Sequence, residues 1–155
     1  MLQRIQSVYF LLAGLVIFAL FLFPLAHNVY INDVPSAIKV TGLFQDVNGA
    51  QAHVQTFVAL IAGTAIAGIL PFILIFLYKN RKQQIMLAYG YIFILFAYTY
   101  WQVQTIKGLA DVSAFKFDNF GIGVLLCPIS IVFTLMAVKA IQRDEKLIKS
   151  ADRLR

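Results

Sequence analysis

The sequence predicts an all-α membrane protein, built as a four-helix transmembrane bundle, and three observations support this fold class. Of the 155 residues, 61% are hydrophobic and only 13% are charged, whereas a soluble domain is about half apolar and about a quarter charged. Four apolar runs each approach the ~20 residues that cross a ~30 Å hydrocarbon core as a helix. No charged residue lies inside these runs. The composition therefore disfavours a soluble enzyme, a disulfide scaffold and a nucleic-acid-binding domain.

The four runs are predicted to form one membrane domain that covers residues 1–155. The predicted spans are 8–26, 54–78, 85–104 and 120–138. Each is expected to be helical, because a backbone in lipid must satisfy its own hydrogen bonds. The joints are two outer loops, a basic turn and a tail, at 27–53, 105–119, 79–84 and 139–155 respectively. The first span is expected to stay uncleaved, since Pro24 and His27 flank a poor signal-peptidase site.

The outer loops contain segments in which polar and apolar residues alternate. These segments are 27–32 and 37–44 in the first loop and 113–118 in the second. Alternation of this kind is typical of strands. One interpretation is a small antiparallel β-sheet on the outer face, built from both loops, and the other is irregular loop.

The placement of charge predicts the orientation in the membrane. The N-terminus, the turn at 79–84 and the tail together carry a net charge of +7, and the two outer loops carry −1. Basic residues concentrate in cytoplasmic loops. Both termini and the basic turn are therefore predicted to be cytoplasmic.

Span two carries small residues at four-residue intervals, namely Ala59, Gly63 and Ala67. Such a stripe lets two helices approach closely. We expect it to pack inside the bundle, and a homodimer interface is the alternative.

Span three is the most polar of the four, with Tyr91, Tyr98, Gln102 and Thr105 on one helical face. One interpretation is that these side chains anchor the helix and bond to neighbouring helices. The alternative is that they line a binding pocket for an amphipathic ligand such as a quinone or a lipid.

The tail after span four has neither Pro nor Gly and is predicted to continue as an amphipathic cytoplasmic helix. It could lie against anionic headgroups, to which each basic residue adds ~1 kcal/mol. Because acidic residues are interleaved with the basic ones, the tail is less typical of a lipid-binding segment than a purely basic run, and the alternative is that it docks a partner protein. The docking residues would be Arg143, Glu145, Leu147, Lys149, Ala151 and Leu154.

No residue pattern predicts a catalytic, cofactor or metal site. Membrane proton relays and most ion-coupled transporters place charged groups at membrane depth, and the four runs hold none. Phosphate-binding loops and zinc-protease motifs are absent from the sequence. The single cysteine, Cys127, has no partner residues for a thiolate metal site. We therefore expect a protein that is not an enzyme.

The two ends of the chain carry a resemblance to a known family. Residues 1–9, residues 143–155 and the four-span layout resemble an uncharacterised membrane protein family of Bacteroidota, described only as a domain of unknown function. The resemblance covers essentially the whole chain. It implies a four-span, multi-pass protein of the inner membrane of a Gram-negative cell, and it implies no catalytic or ligand-binding residues.

Taken together, these features predict a non-catalytic integral inner-membrane protein that acts as an accessory or assembly subunit of a larger membrane complex. Its expected partners are the lipid bilayer and one or more membrane proteins, with no nucleic acid and no cofactor. A protein that binds a quinone or a lipid is one alternative function. An oligomeric channel or transporter is another.

Overall fold

Four helices and a four-stranded sheet follow one another in a computed structural model that describes residues 3–31, 34–47, 50–109 and 119–152. The elements in chain order are α1 (Gln3–Phe18), β1 (Ala26–Ile31), β2 (Val34–Lys39), β3 (Gly42–Val47), β4 (Ala50–Thr56), α2 (Val58–Phe76), α3 (Arg81–Leu109) and α4 (Gly123–Asp152). A 3-10 turn extends α1 through Ala19–Phe21, and another extends α2 through Leu77–Lys79.

The helices form a bundle in which α1 and α3 each pack against both α2 and α4. Each helix buries one stripe of residues three or four positions apart, as the helical period requires. On α1 the buried stripe includes Phe10, Ala13 and Ile17. Phe10 and Ile17 join Leu95 of α3 and Ile141 of α4 in one hydrophobic core.

The sheet is an antiparallel meander in which the strands lie in the order β1-β2-β3-β4. A bulge interrupts β1 between Ala26 and Val29, and Asn28 adopts a left-handed φ of 53° there. Asn is one of the few non-glycine residues that tolerate this conformation. Gly42 begins β3 at a φ of 155°, where a Cβ atom would lie 2.1 Å from the backbone oxygen of Gln55.

Backbone hydrogen bonds fasten the sheet to one end of the bundle. The amide of Leu25 donates to the carbonyl of Ile38 at 2.8 Å, and the amide of Gly121 donates to the carbonyl of Leu25 at 2.8 Å. Ala26 also forms an isolated β-bridge with Phe120. The start of α4 is therefore tied to the first strand of the sheet.

The predicted fold class, an all-α bundle of four transmembrane helices, is wrong in two respects. The described chain contains a four-stranded sheet as well as helices. Within the residues that the structure describes, two helical stretches are long and apolar enough to cross a membrane, Val58–Lys79 and Gly123–Ile148. The apolar part of α1, Ile5–Phe21, is shorter than either of these two stretches. α3 is interrupted by tyrosine, tryptophan and glutamine side chains that lower its hydropathy.

The sheet also differs in its origin from the predicted one. The first loop alone supplies all four strands, while residues 110–118 of the second loop lie outside the described residues. The alternating segment 37–44 is not one strand, because a turn at Val40 and Thr41 divides it between β2 and β3. The predicted start of span two at Val54 falls within β4, and α2 begins at Val58. The predicted fourth span and the tail, as far as Asp152, form one continuous helix.

Candidate functional site

The polar face of α3 is buried in the bundle and bonded to the neighbouring helices. Tyr91, Tyr98 and Gln102 are each 5% exposed or less. The hydroxyl of Tyr98 shares a short hydrogen bond with the Thr64 hydroxyl of α2. Thr64 also donates to the Leu60 carbonyl at 2.8 Å. This part of α3 is therefore held to α2 by side-chain hydrogen bonds.

A second connection joins three helices through one serine. The hydroxyl of Ser130, on α4, donates to the backbone oxygen of Ala13 on α1 at 3.0 Å. The Tyr91 hydroxyl of α3 lies 3.3 Å from the same Ser130 oxygen. Because hydroxyls both donate and accept, this one serine couples α1, α3 and α4.

The remaining two residues of the predicted polar face differ in their surroundings. The Cys127 thiol donates to Oε1 of Gln102 at 3.7 Å, and the Gln102 Nε2 atom has no hydrogen-bond partner among the described residues. The Thr105 hydroxyl instead donates to the Trp101 carbonyl of its own helix at 3.0 Å. The structure thus places Tyr91, Tyr98 and Gln102 in the bundle interior, whereas Thr105 is only half-buried.

An apolar cavity of about 250 Å³ lies between α2 and α3. Tyr91 lines it, and the other lining residues are aliphatic or glycine, among them Leu70, Leu74 and Ile94. The Tyr91 hydroxyl is bonded to Ser130, on the α4 side. The cavity therefore suits a hydrocarbon segment better than the polar ring of a quinone.

Removing the Tyr98 hydroxyl is expected to weaken the bundle modestly. In Tyr98→Phe, Thr64 keeps its bond to the Leu60 carbonyl and loses only its bond to the tyrosine. We expect the free energy of unfolding in detergent micelles to fall by about 0.5–1.5 kcal/mol, the usual net contribution of one hydrogen bond. Tyr89→Phe, at an exposed position of the same helix, is the matched control and should change it by less than about 0.5 kcal/mol. Equal effects of the two variants would contradict a structural role for the Tyr98–Thr64 pair.

The three small residues of the predicted stripe on α2 differ in burial. A Cβ atom on Gly63 would lie 2.9 Å from the Tyr98 ring, so that glycine allows α3 to pack closely. Ala67 is buried in the core, while Ala59 is exposed. The inner part of the stripe therefore serves packing within the bundle.

A buried polar pair closes the opposite end of the bundle from the sheet, and the sequence prediction missed it. The Gln6 side chain of α1 donates to the Asp144 carboxylate of α4 at 2.6 Å, and both residues are buried. Helical spacing in the sequence could have indicated that both residues are buried. Asp144 continues the helical spacing of Thr134 and Ile141, and Gln6 precedes Phe10 by one turn.

The residues predicted to dock a partner lie at this same end of α4. Arg143 and Leu147 are exposed, and Glu145 is half-buried. The side chains of Lys149 and Ala151, and the whole of Leu154, lie outside the described residues. Within the described ranges, no three His, Cys, Asp or Glu side chains are grouped to hold a metal ion.

Comparison with known proteins identifies the family. The family model "Domain of unknown function (DUF4293)" matches residues 2–154, and the chain belongs to this family. No curated protein and no solved structure matches the chain.

Proposed function

We propose that this member of the DUF4293 family is a non-catalytic integral protein of the inner membrane of a Gram-negative bacterium of Bacteroidota. In that membrane it serves as an accessory or assembly subunit of a larger protein complex. α2 and α4 are the helices whose length and composition best suit a membrane span, and the partner binds the end of α4 that projects from the bundle. That projection is the observation that carries the proposal.

The outer surface of the bundle supports placement in a membrane. Large apolar side chains are exposed on all four helices, for example Leu15, Ile69, Phe93 and Val132. A soluble monomer rarely exposes so extensive an apolar surface. Lipid chains would cover it without any desolvation of polar groups.

The bundle interior supports a structural role rather than a chemical one. The hydroxyls of Thr64, Tyr98, Ser130 and Tyr91 bond to one another and to backbone carbonyls. Bonds of this kind hold helices together in an apolar environment. These polar groups are therefore occupied in fixing the relative positions of α1 to α4.

The end of α4 supports partner binding. Asp144 of α4 bonds to Gln6, which lies near the start of α1. α4 continues for eight further residues to Asp152, or about 12 Å at the helical rise. Leu147 is 51% exposed there and Ile148 is 47% exposed, beside the charged Lys146. A partner helix could bury the two apolar side chains and pair with the neighbouring charge.

The partner is tested by purifying the tagged full-length chain in mild detergent and identifying stoichiometric components by mass spectrometry. We expect one or more membrane proteins to co-purify with the natural chain. Replacing Leu147 and Ile148 with serine should remove them, because the apolar contact is lost. Gln142→Ser, at an exposed position about one and a half turns earlier on α4, should retain them. Purification of the natural chain as a single species would refute the proposed subunit role.

The orientation proposed from the charge distribution places the sheet outside the cytoplasm and the basic turn within it. Gln55 on β4 and Lys82 at the start of α3 are both exposed. Gln55→Cys should therefore react with a membrane-impermeant maleimide in spheroplasts, and Lys82→Cys should react only after permeabilisation. The natural chain is the control, since its one thiol, Cys127, is buried. The reverse labelling pattern would rule out this orientation.

A further inference from the structure

A groove of about 350 Å³ lies between α1 and α4 at the end of the bundle away from the sheet. We call it the α1–α4 groove. It is lined by Ile5, Tyr9, Met136, Lys139, Ala140, Arg143 and Asp144. Of the predicted docking residues it includes only Arg143, and the projecting Leu147 and Ile148, to which we assign partner binding, do not line it.

The groove presents two positive charges on adjacent turns of one helix. Lys139 and Arg143 are four residues apart on α4, a spacing that places side chains on the same face. Neither forms an ion pair with another side chain in the described part of the chain. Ammonium and guanidinium groups so placed are suited to a phosphate, which accepts charge-assisted hydrogen bonds from both.

A negative charge lies in the same groove. Asp144 is only 6% exposed and accepts one hydrogen bond, at 2.6 Å, from Gln6. A carboxylate can accept about four hydrogen bonds. A cationic donor entering the groove could therefore bond to Asp144 while a phosphate bonds to Lys139 and Arg143. A purely anionic ligand would be repelled by this carboxylate.

The rest of the lining is apolar and lies next to the lipid-facing surface. Ile5 and Met136 are exposed, and Ala140 lies between the charged residues of α4. Lys139 is also the first charged residue after the apolar part of α4. In a membrane this level corresponds to the headgroups, with hydrocarbon on one side and water on the other.

We propose that the α1–α4 groove binds a phospholipid whose headgroup carries both a phosphate and a primary ammonium, as in phosphatidylethanolamine. Lys139 and Arg143 hold the phosphate, Asp144 accepts hydrogen bonds from the ammonium, and Ile5 and Met136 contact the start of an acyl chain. The proposal rests on the membrane placement proposed above and is independent of any protein partner.

The test uses the purified full-length chain in detergent micelles. The micelles contain equal amounts of dioleoyl phosphatidylethanolamine, phosphatidylcholine and phosphatidylglycerol, and native mass spectrometry counts the lipids that stay bound. We expect phosphatidylethanolamine to exceed phosphatidylcholine, whose quaternary amine has no N–H to donate. Lys139→Gln and Arg143→Gln should each reduce the binding of all three lipids about fivefold. Lys107→Gln, at an exposed position on α3, is the matched control and should leave binding unchanged.

Asp144→Asn separates the two halves of the proposed site. The asparagine side chain keeps the shape of the aspartate and can still bond to Gln6, so the fold should persist, as thermal unfolding of the variant would verify. We expect the ratio of phosphatidylethanolamine to phosphatidylcholine to fall to about one. Equal binding of the two lipids by the natural chain would overturn the proposal, as would a preference for phosphatidylglycerol.

A final measurement distinguishes a lipid from a soluble phosphate ester. Glycerophosphoethanolamine has the same headgroup without acyl chains, and we expect it to compete poorly with the lipid. Competition at equal concentration would show that the apolar lining contributes nothing, and it would overturn the assignment to a lipid. These readouts need no partner protein, so their failure can be told apart from a failure to find a partner complex.

Discussion

Gly121→Ala is expected to lower the free energy of unfolding by about 3 kcal/mol, the upper part of the usual range for overpacking. Gly121 precedes α4 and donates its amide hydrogen to the Leu25 carbonyl at 2.8 Å. A Cβ atom there would lie 2.1 Å from the backbone oxygen of Pro24. Relief of this clash requires movement of the backbone, and the connection between α4 and the sheet would then be strained or broken. Equilibrium unfolding in detergent micelles measures the change.

Gly90→Ala is the matched control for this prediction. Gly90 lies within α3, and no atom beyond its chain neighbours and the adjacent backbone of its own helix lies within 4 Å of the position that a Cβ would take. Alanine is favoured over glycine inside helices by about 1 kcal/mol, so this variant should be neutral or slightly more stable. Similar destabilisation by both variants would mean that Gly121 tolerates a side chain and that α4 is not held closely to Pro24.

Phe10→Ala should produce the largest loss of stability among side-chain truncations on α1. Phe10 is 0% exposed and lies in the core shared by the four helices. Truncation of a buried phenylalanine costs about 3–5 kcal/mol, because packing contacts are lost and a cavity remains. In a lipid environment that packing is the main force between helices. The expected result is a large fall in the unfolding midpoint in mixed detergent micelles.

The control for Phe10 is a phenylalanine on the outside of the bundle. Phe93 on α3 is 75% exposed, so Phe93→Ala should change the free energy of unfolding by less than about 0.5 kcal/mol. If Phe93→Ala were as destabilising as Phe10→Ala, the outward face of α3 would have to be packed against another protein surface.

The sequence allows the helices to be located better than it allows the fold class to be assigned. Long apolar runs coincide with most of α2 and α4, because a buried or lipid-facing helix leaves a direct trace in composition. Strand β4 could not be recognised, because the predicted second span, which starts at Val54, joins its last residues to the helix that follows. Val54 and the apolar residues that follow Thr56 continue into α2, so hydropathy alone merges a strand with the helix after it.

One glycine, Gly42, was the sequence feature that could have indicated where the segment 37–44 divides into two strands. Gly42 takes a φ of 155° beside Gln55, a conformation that L side chains rarely adopt, and its presence in the segment 37–44 was the available signal for a turn. The alternation of polar and apolar residues on both sides of that glycine concealed the signal. Alternation predicts strands but does not place the ends of each strand.

The polar connections of the bundle could not be predicted, because they depend on the rotation of each helix about its axis. Tyr91 and Tyr98 were predicted as a polar face, and their partners are hydroxyls within the apolar parts of the neighbouring helices, Ser130 of α4 and Thr64 of α2. Gln6 and Asp144 are 138 residues apart in the sequence. Such pairs become visible only when the packing of the helices is known.

The continuity of α4 has a mechanical consequence. One helix begins at the backbone bonds that hold the sheet and ends at Asp152, so it spans about 45 Å without a break. Pro128 lies inside this helix and is the position at which it bends most easily. A tilt of about 5° there would move Asp152, about 36 Å further along the helix, by about 3 Å. A displacement that the sheet imposes on the start of α4 would thereby change the position of Leu147 near its other end.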